Sequence, residues 1–121
     1  MRAVLAVGIG GFIGSVCRYL MSLIPVSEKT AFPIVTLAIN VIGAFAIGLL
    51  TALAARYENM NPEVMTLLRV GVCGGFTTFS TFALEITALF GTDRGWMAAL
   101  YMLASLVMGV LAVLAGKAVV G

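Results

Sequence analysis

Apolar residues come in four long runs along the chain, and most charged and turn-forming residues fall between them. A helix crossing the hydrocarbon core of a bilayer needs ~20 mostly apolar residues. Four segments meet that length, at about residues 3–24, 32–55, 62–90 and 96–116. The first is interrupted only by Arg18 near its far end, and Pro25 with Ser27-Glu28-Lys29-Thr30 closes it. The second carries no charge before Arg56, and Pro33 lies near its first turn, where a missing N–H costs nothing. The third opens on Asn61-Pro62-Glu63, which reads as N-cap, Pro at the first helical position and an acidic first turn. A turn at Gly91-Thr92-Asp93-Arg94-Gly95 leads to the fourth, uncharged from Trp96 to Gly116. Tyr57 and Trp96 sit where interfacial aromatic anchors are expected. The opening residues resemble a signal peptide, but Arg18 follows Cys17 without a small-x-small cleavage site. The first run therefore reads as a retained helix. The pattern predicts an all-α membrane protein, a single domain of four transmembrane helices over residues 1–121.

Composition agrees. The chain is 62% hydrophobic and 10% charged, with a mean hydropathy of +1.16. Soluble domains carry roughly 25% charged residues. So few charges cannot cover a water-exposed surface, whereas lipid allows an apolar exterior. The net charge of +2 gives no basic patch for nucleic acid. There is no His, which removes the commonest general base and transition-metal ligand. Of five acidic residues only Glu85 lies well inside an apolar run, so no acid–base pair suggests an enzyme. Cys17 and Cys73 both lie in apolar runs and read as small buried hydrophobes rather than a disulfide.

Four spans put both termini on one side of the membrane. That side carries Arg2, Arg56, Arg69 and Lys117, and the other carries Arg18, Lys29 and Arg94. So small a bias sets no firm orientation. Either both orientations insert and pair as an antiparallel dual-topology homodimer, or the count is too small to mean anything. Small residues at helical spacing, Gly10/Gly14, Ala44/Gly48, Gly71/Gly75 and Ser105/Gly109, would let helices approach closely. Gly8-x-Gly10 is no dinucleotide fingerprint, because Ile13 stands where the third Gly belongs and no strand precedes it.

The third run is the odd one. Residues 71–82 read Gly-Val-Cys-Gly-Gly-Phe-Thr-Thr-Phe-Ser-Thr-Phe. Gly74-Gly75 and three β-branched threonines weaken a helix, so a break is expected near Gly74–Thr78. Freed backbone groups at membrane depth must meet protein or a water-filled cavity, and freed carbonyls suit a small cation. If the helix resumes by Thr77, then Thr77, Thr81 and Glu85 share one side, with Ser80 beside them. Phe79 and Phe82 then lie about 60° apart on the opposite side, at about 100° per residue. A phenyl edge is electropositive, and hydroxyls can donate to an anion. Plain packing explains the same stripes, since Thr and Ser often bond to their own helix.

Other polar groups have two readings as well. Arg18 either snorkels to water or attracts anions at a pore mouth. Asn40, in the middle of the second span, either bonds across helices or offers its NH₂ to an ion. Tyr101 and Ser105 share a face of the fourth span at i, i+4. An intramembrane carboxylate such as Glu85 has a functional or a paired structural role by default.

Three stretches carry a family resemblance: Gly10-Gly11-x-x-Gly14-x-x-x-Arg18-Tyr19, Thr36-Leu37-x-x-Asn40-x-x-Gly43, and Gly71-x-Cys73-Gly74-Gly75-x-Thr77-Thr78-Phe79-Ser80-Thr81-Phe82-x-x-Glu85. Over essentially its whole length the chain resembles the Fluc/CrcB fluoride channels. Val35 departs from the family's usual Gly before the Thr-Leu pair. The resemblance implies an antiparallel homodimer of dual-topology subunits in a bacterial-type cytoplasmic (inner) membrane, with two pores that pass fluoride passively out of the cell. It implies that Phe79 and Phe82 contact fluoride through ring edges and that Asn40 is a pore-lining donor. Arg18 resembles the vestibule arginine, and Ser80, Thr81, Tyr101 and Ser105 a polar track facing the phenyl groups. Gly74 and Thr77 resemble the residues whose backbone carbonyls hold a structural sodium at the dimer centre. Glu85 matches an acidic position of the family, with no role implied. Two other functions compete: a four-helix dual-topology multidrug or cation exporter, which needs a deep proton-exchanging carboxylate, and a membrane assembly subunit that transports nothing.

Overall fold

The computed structural model describes residues 1–28 and 30–121; Lys29, counted above among the loop charges, lies outside them. Every regular element among the described residues is helical. Helix α1 spans Arg2–Ser22 and α2 spans Ile34–Arg56. Helix α3 covers residues 62–76 and is composite: an α-helical turn Pro62–Thr66, a π-helical stretch Leu67–Cys73 and a final turn Gly74–Phe76. Helix α4 spans Ser80–Phe90 and α5 spans Gly95–Val120. Helices α1, α2, α5 and the pair α3–α4 are each long and apolar enough to cross a membrane, and the chain is a multi-pass membrane protein.

Local chemistry sets the ends. Asn61 caps α3, its Oδ1 accepting from the backbone N–H groups of Glu63 (2.9 Å) and Val64 (3.3 Å), with Pro62 at the first helical position. Pro33 stands at the N-cap of α2, just before its first turn. Helix α5 outlasts its apolar run through Lys117 to Val120, where Arg56 Nη1 donates to the Val120 carbonyl at 2.6 Å. Tyr57 and Trp96 are both exposed, as interfacial anchors should be. Cys73 is buried but Cys17 is exposed, which corrects the expectation that both are interior.

Without a hydrophobic drive between helices in lipid, close backbone approach supplies much of the attraction. The glycine pairs of the first and third runs meet each other: a Cβ on Gly71 would fall 2.7 Å from Gly10 Cα, and one on Gly75 2.7 Å from the Gly11 oxygen. Helix α2 meets α5 the same way, Gly48 against the Val113 backbone and Gly116 against Phe45 and Leu49. Gly109 has open space around it, so the Ser105/Gly109 pair makes no such seam within the subunit. Gly14→Ala would drive a methyl to 2.8 Å from the Phe76 nitrogen. It is expected to cost about 1–3 kcal/mol by overpacking, read as a lower unfolding temperature in detergent, with Gly109→Ala no less stable than the parent. Equal stability of both variants would remove the seam as a source of stability.

Candidate functional site

The break does not fall at the glycine pair. Gly74 and Gly75 stay helical, and the chain leaves the helix at Thr77, whose ψ of 157° is extended. Regular helix resumes at Ser80, three residues later than Thr77. Thr77 therefore shares no helix with Thr81 and Glu85, which corrects the single hydroxyl stripe expected from periodicity. Thr77 bonds back instead, its N–H and its Oγ1 both donating to the Cys73 carbonyl at 3.1 Å. Gly75 serves the seam with α1 rather than the break.

What holds the break comes mostly from other helices. Asn40 of α2 takes both backbone groups of Thr78: Thr78 N–H donates to Asn40 Oδ1 at 2.8 Å, and Asn40 Nδ2 donates to the Thr78 carbonyl at 3.0 Å. Thr78 Oγ1 accepts from Thr81 N–H at 3.2 Å, capping the start of α4. Arg18 of α1 donates from Nε to the Gly75 carbonyl at 3.2 Å. In an unbroken helix that carbonyl would take the Phe79 N–H. The same rule marks two more carbonyls. The natural donor to Gly74 O is Thr78 N–H, and that to Thr77 O is Thr81 N–H. Both donors are engaged elsewhere. Gly43, one turn beyond Asn40, makes room for this geometry, because a Cβ there would overlap Thr77 Cγ2.

The break lines a groove of about 590 Å³ between α2, the α3–α4 junction and α5. Asn40, Gly74, Thr77, Thr78, Phe79, Phe82 and Ser105 face it. The phenyl rings of Phe79 and Phe82 lie 5.9 Å apart at a tilt of 47°. Phe79 is 78% exposed, a large aromatic standing at the mouth. Phe82 is half-buried and packs on Tyr101 in a T-shape at 4.9 Å. Ser105 Oγ is buried and, among the described residues, has no hydrogen-bond partner. An unpaired buried hydroxyl costs free energy, so this one is poised to bond whatever occupies the groove.

The remaining sequence-predicted residues lie apart. Tyr101 is fully buried in the cluster with Leu37, Leu89 and Ala98. Its hydroxyl donates to Glu85 Oε1 at 2.8 Å, while Thr36 Oγ1 donates to Glu85 Oε2 at 2.9 Å. Glu85 is thus a paired carboxyl tying α2, α4 and α5 together, beside Phe82 rather than in the groove wall. Ser80 is exposed, Thr81 half-buried, and neither lines the groove. Arg18 reaches the break from the α1 side. Sequence reasoning gave no roles to Gly43, Thr78 or Thr36. The spacing of Thr36, Asn40 and Gly43 at i, i+4, i+7 on one face of α2 was the available signal for two of them.

The family described as "CrcB-like protein, Camphor Resistance (CrcB)" matches residues 5–117. The chain belongs to the CrcB family. This is the family its motifs resembled. Among curated relatives in the family, the fluoride-specific ion channel FluC of Agrobacterium fabrum is 48% identical over 115 residues, covering 93% of this chain and 90% of that protein. The FluC of Chlorobaculum tepidum is 43% identical over 116 residues, 96% of this chain and 92% of the relative. The FluC of Methanopyrus kandleri is 43% identical over 118 residues, 97% and 88% of the two chains.

Proposed function

We propose that this CrcB chain is a fluoride-selective passive channel that lets cytoplasmic fluoride leave the cell. The observation that carries the reading is the groove at the break. It gathers two phenyl rings, the Asn40 amide and an unpaired buried Ser105 hydroxyl at membrane depth. Fluoride is small and holds its water tightly, so a path that strips this water must supply close donors in its place. Phenyl edges, an amide N–H and a hydroxyl are such donors. Selection against larger anions then comes from donors that close on the ion at short range, since a larger anion gains less from each such contact. The names of the relatives support the same ion.

The fuller arrangement is an antiparallel homodimer of dual-topology subunits in the inner membrane, with two pores. Its support is the near-even charge distribution and the exposure of Phe79, whose ring needs a covering partner in lipid or protein. In this arrangement Arg18 serves the vestibule and Ser80, Thr81 and Ser105 the polar track facing the phenyl groups, while Tyr101 acts through Glu85, to which its hydroxyl is bonded. The carbonyls of Gly74 and Thr77, deprived of their helical donors, are oxygen ligands of the kind a sodium ion takes at a broken helix. When bound, sodium would neutralise those oxygens and join the two breaks at the dimer centre.

The drug-exporter alternative is weaker, because both oxygens of Glu85 are engaged by Thr36 and Tyr101 rather than open to a substrate cation. The test is ion efflux from liposomes holding the purified protein. Rapid fluoride efflux with chloride flux at least about a hundredfold slower is expected, a discrimination of about 2.7 kcal/mol. Equal chloride flux would remove the selectivity, and no flux of either ion would favour an assembly subunit.

A further inference from the structure

An amide side chain can meet the N–H and the C=O of one residue only where those groups point the same way. They do so on an extended strand, in the manner of a hydrogen-bonded strand pair. In a helix they point in opposite directions along the axis. Asn40 meets both groups of Thr78, at 2.8 and 3.0 Å. Thr77 just before it is extended. This contact is therefore selective for the broken form of the third span.

We infer that Asn40 is the splint of the break: a positioning residue that holds Thr78 out of the helix and so sets where Phe79 stands. The inference rests on the channel reading above for its consequence, but the splint itself does not. Three observations support it. The Gly pair that local propensity marks for a break is helical, so propensity does not place the break. Both backbone groups of Thr78 leave helical bonding, and both end on Asn40. Gly43, on the same face of α2, clears the space that Thr77 needs once it leaves the helix. Without Asn40 the Thr78 groups would be unpaired at membrane depth, where such groups are costly. The nearest remedy is the helical one, Thr78 N–H returning to the Gly74 carbonyl. That would carry the helix on through Thr78, tie up the Gly74 oxygen and move Phe79 from where the break now holds it. The pairing also orients the amide: one N–H is fixed on Thr78 O, and the other is left over for the groove.

The chain offers a direct probe. Its only Thr–Thr peptide bond is Thr77–Thr78. Protein labelled with ¹³C,¹⁵N-threonine in lipid therefore gives one Thr–Thr inter-residue correlation in solid-state NMR. In the parent, the Thr77 Cα and Cβ shifts are expected to be those of extended backbone. In Asn40→Leu they should move to helical values or split into two populations. In Asn40→Asp, nearly the same shape but without the donor to Thr78 O, a partial shift is expected. Extended shifts unchanged in both variants would overturn the splint, whatever the protein transports. A functional arm separates positioning from direct ion contact. Asn40→Asp and Phe79→Met are each expected to slow fluoride efflux about tenfold, and the double variant to stay within about twofold of the slower single, because residues acting through one element are not additive. A loss near a hundredfold, the product of the two, would instead mean that Asn40 affects flux through its free N–H and not through Phe79, and would overturn its control of Phe79. Absence of fluoride flux in the parent would sink the channel reading while leaving the NMR result to decide the splint.

Discussion

Phe79→Ile is expected to slow fluoride efflux about a hundredfold, or about 2.7 kcal/mol on the barrier, with no loss of folded protein. The second half of that statement follows from exposure. Phe79 is 78% exposed within the subunit and touches the groove rather than the interior cluster. Trimming it removes little packing inside the subunit. The first half follows from charge distribution: isoleucine fills similar space but has no electropositive rim to set against a desolvated anion. Phe82→Ile should slow efflux to a similar degree but also lower stability, because Phe82 packs at 4.9 Å on the buried Tyr101 ring. A change of this kind in a core costs about 1–3 kcal/mol. Liposome efflux and thermal unfolding of the same preparations separate the two effects. Full flux in both variants would return the rings to packing.

The four spans were plain in the sequence because length and polarity alone decide them. Lipid demands about twenty apolar residues and satisfied backbone groups, and nothing else about the fold is needed to find the runs. The cap at Asn61-Pro62 was equally legible, since Asn61 bonds to residues two and three places on. The glycine spacing of the first and third runs marked a seam, though not which helices share it.

The break was only half legible. Composition drew attention to residues 74–78, but local propensity placed the weakness at the glycines, and the structure places it at Thr77–Phe79. The deciding group is Asn40, 38 positions away in the chain. A cross-helix contact that replaces two helical hydrogen bonds outweighs the ~1 kcal/mol per residue that glycine concedes. The face assignment failed with it: a helical wheel carried through Thr77 is meaningless once the helix stops there. The same limit applies to Glu85. Its partners Thr36 and Tyr101 lie 49 and 16 positions away, so periodicity along one helix could not find them.

That carboxyl cluster should dominate the stability of the fold. Thr36, Glu85 and Tyr101 stand on α2, α4 and α5, and each hydroxyl donates to a different oxygen of Glu85. Tyr101 is fully buried, so its O–H has no water to turn to. Glu85→Ala removes both acceptors. A buried donor left unsatisfied costs about 1–3 kcal/mol. Thr36 can recover part of this by bonding a carbonyl of its own helix, whereas Tyr101 cannot. The cavity left by the side chain adds to the loss. The expected total is about 3–5 kcal/mol, measured by unfolding in bicelles under steric trapping. Glu85→Gln keeps a carbonyl acceptor for one hydroxyl and turns an NH₂ toward the other, which can accept in its turn, so it should cost less than half as much. Tyr101→Phe should be milder than Glu85→Ala, and once Glu85 is Ala the same change should cost nothing further, because the hydroxyl it deletes is already unpaired. Additive losses in that cycle would mean the three residues do not act as one unit. The junction of α4 with α2 and α5 would then rest mainly on the packing of Leu37, Leu89, Ala98 and the aromatic rings of Phe82 and Tyr101.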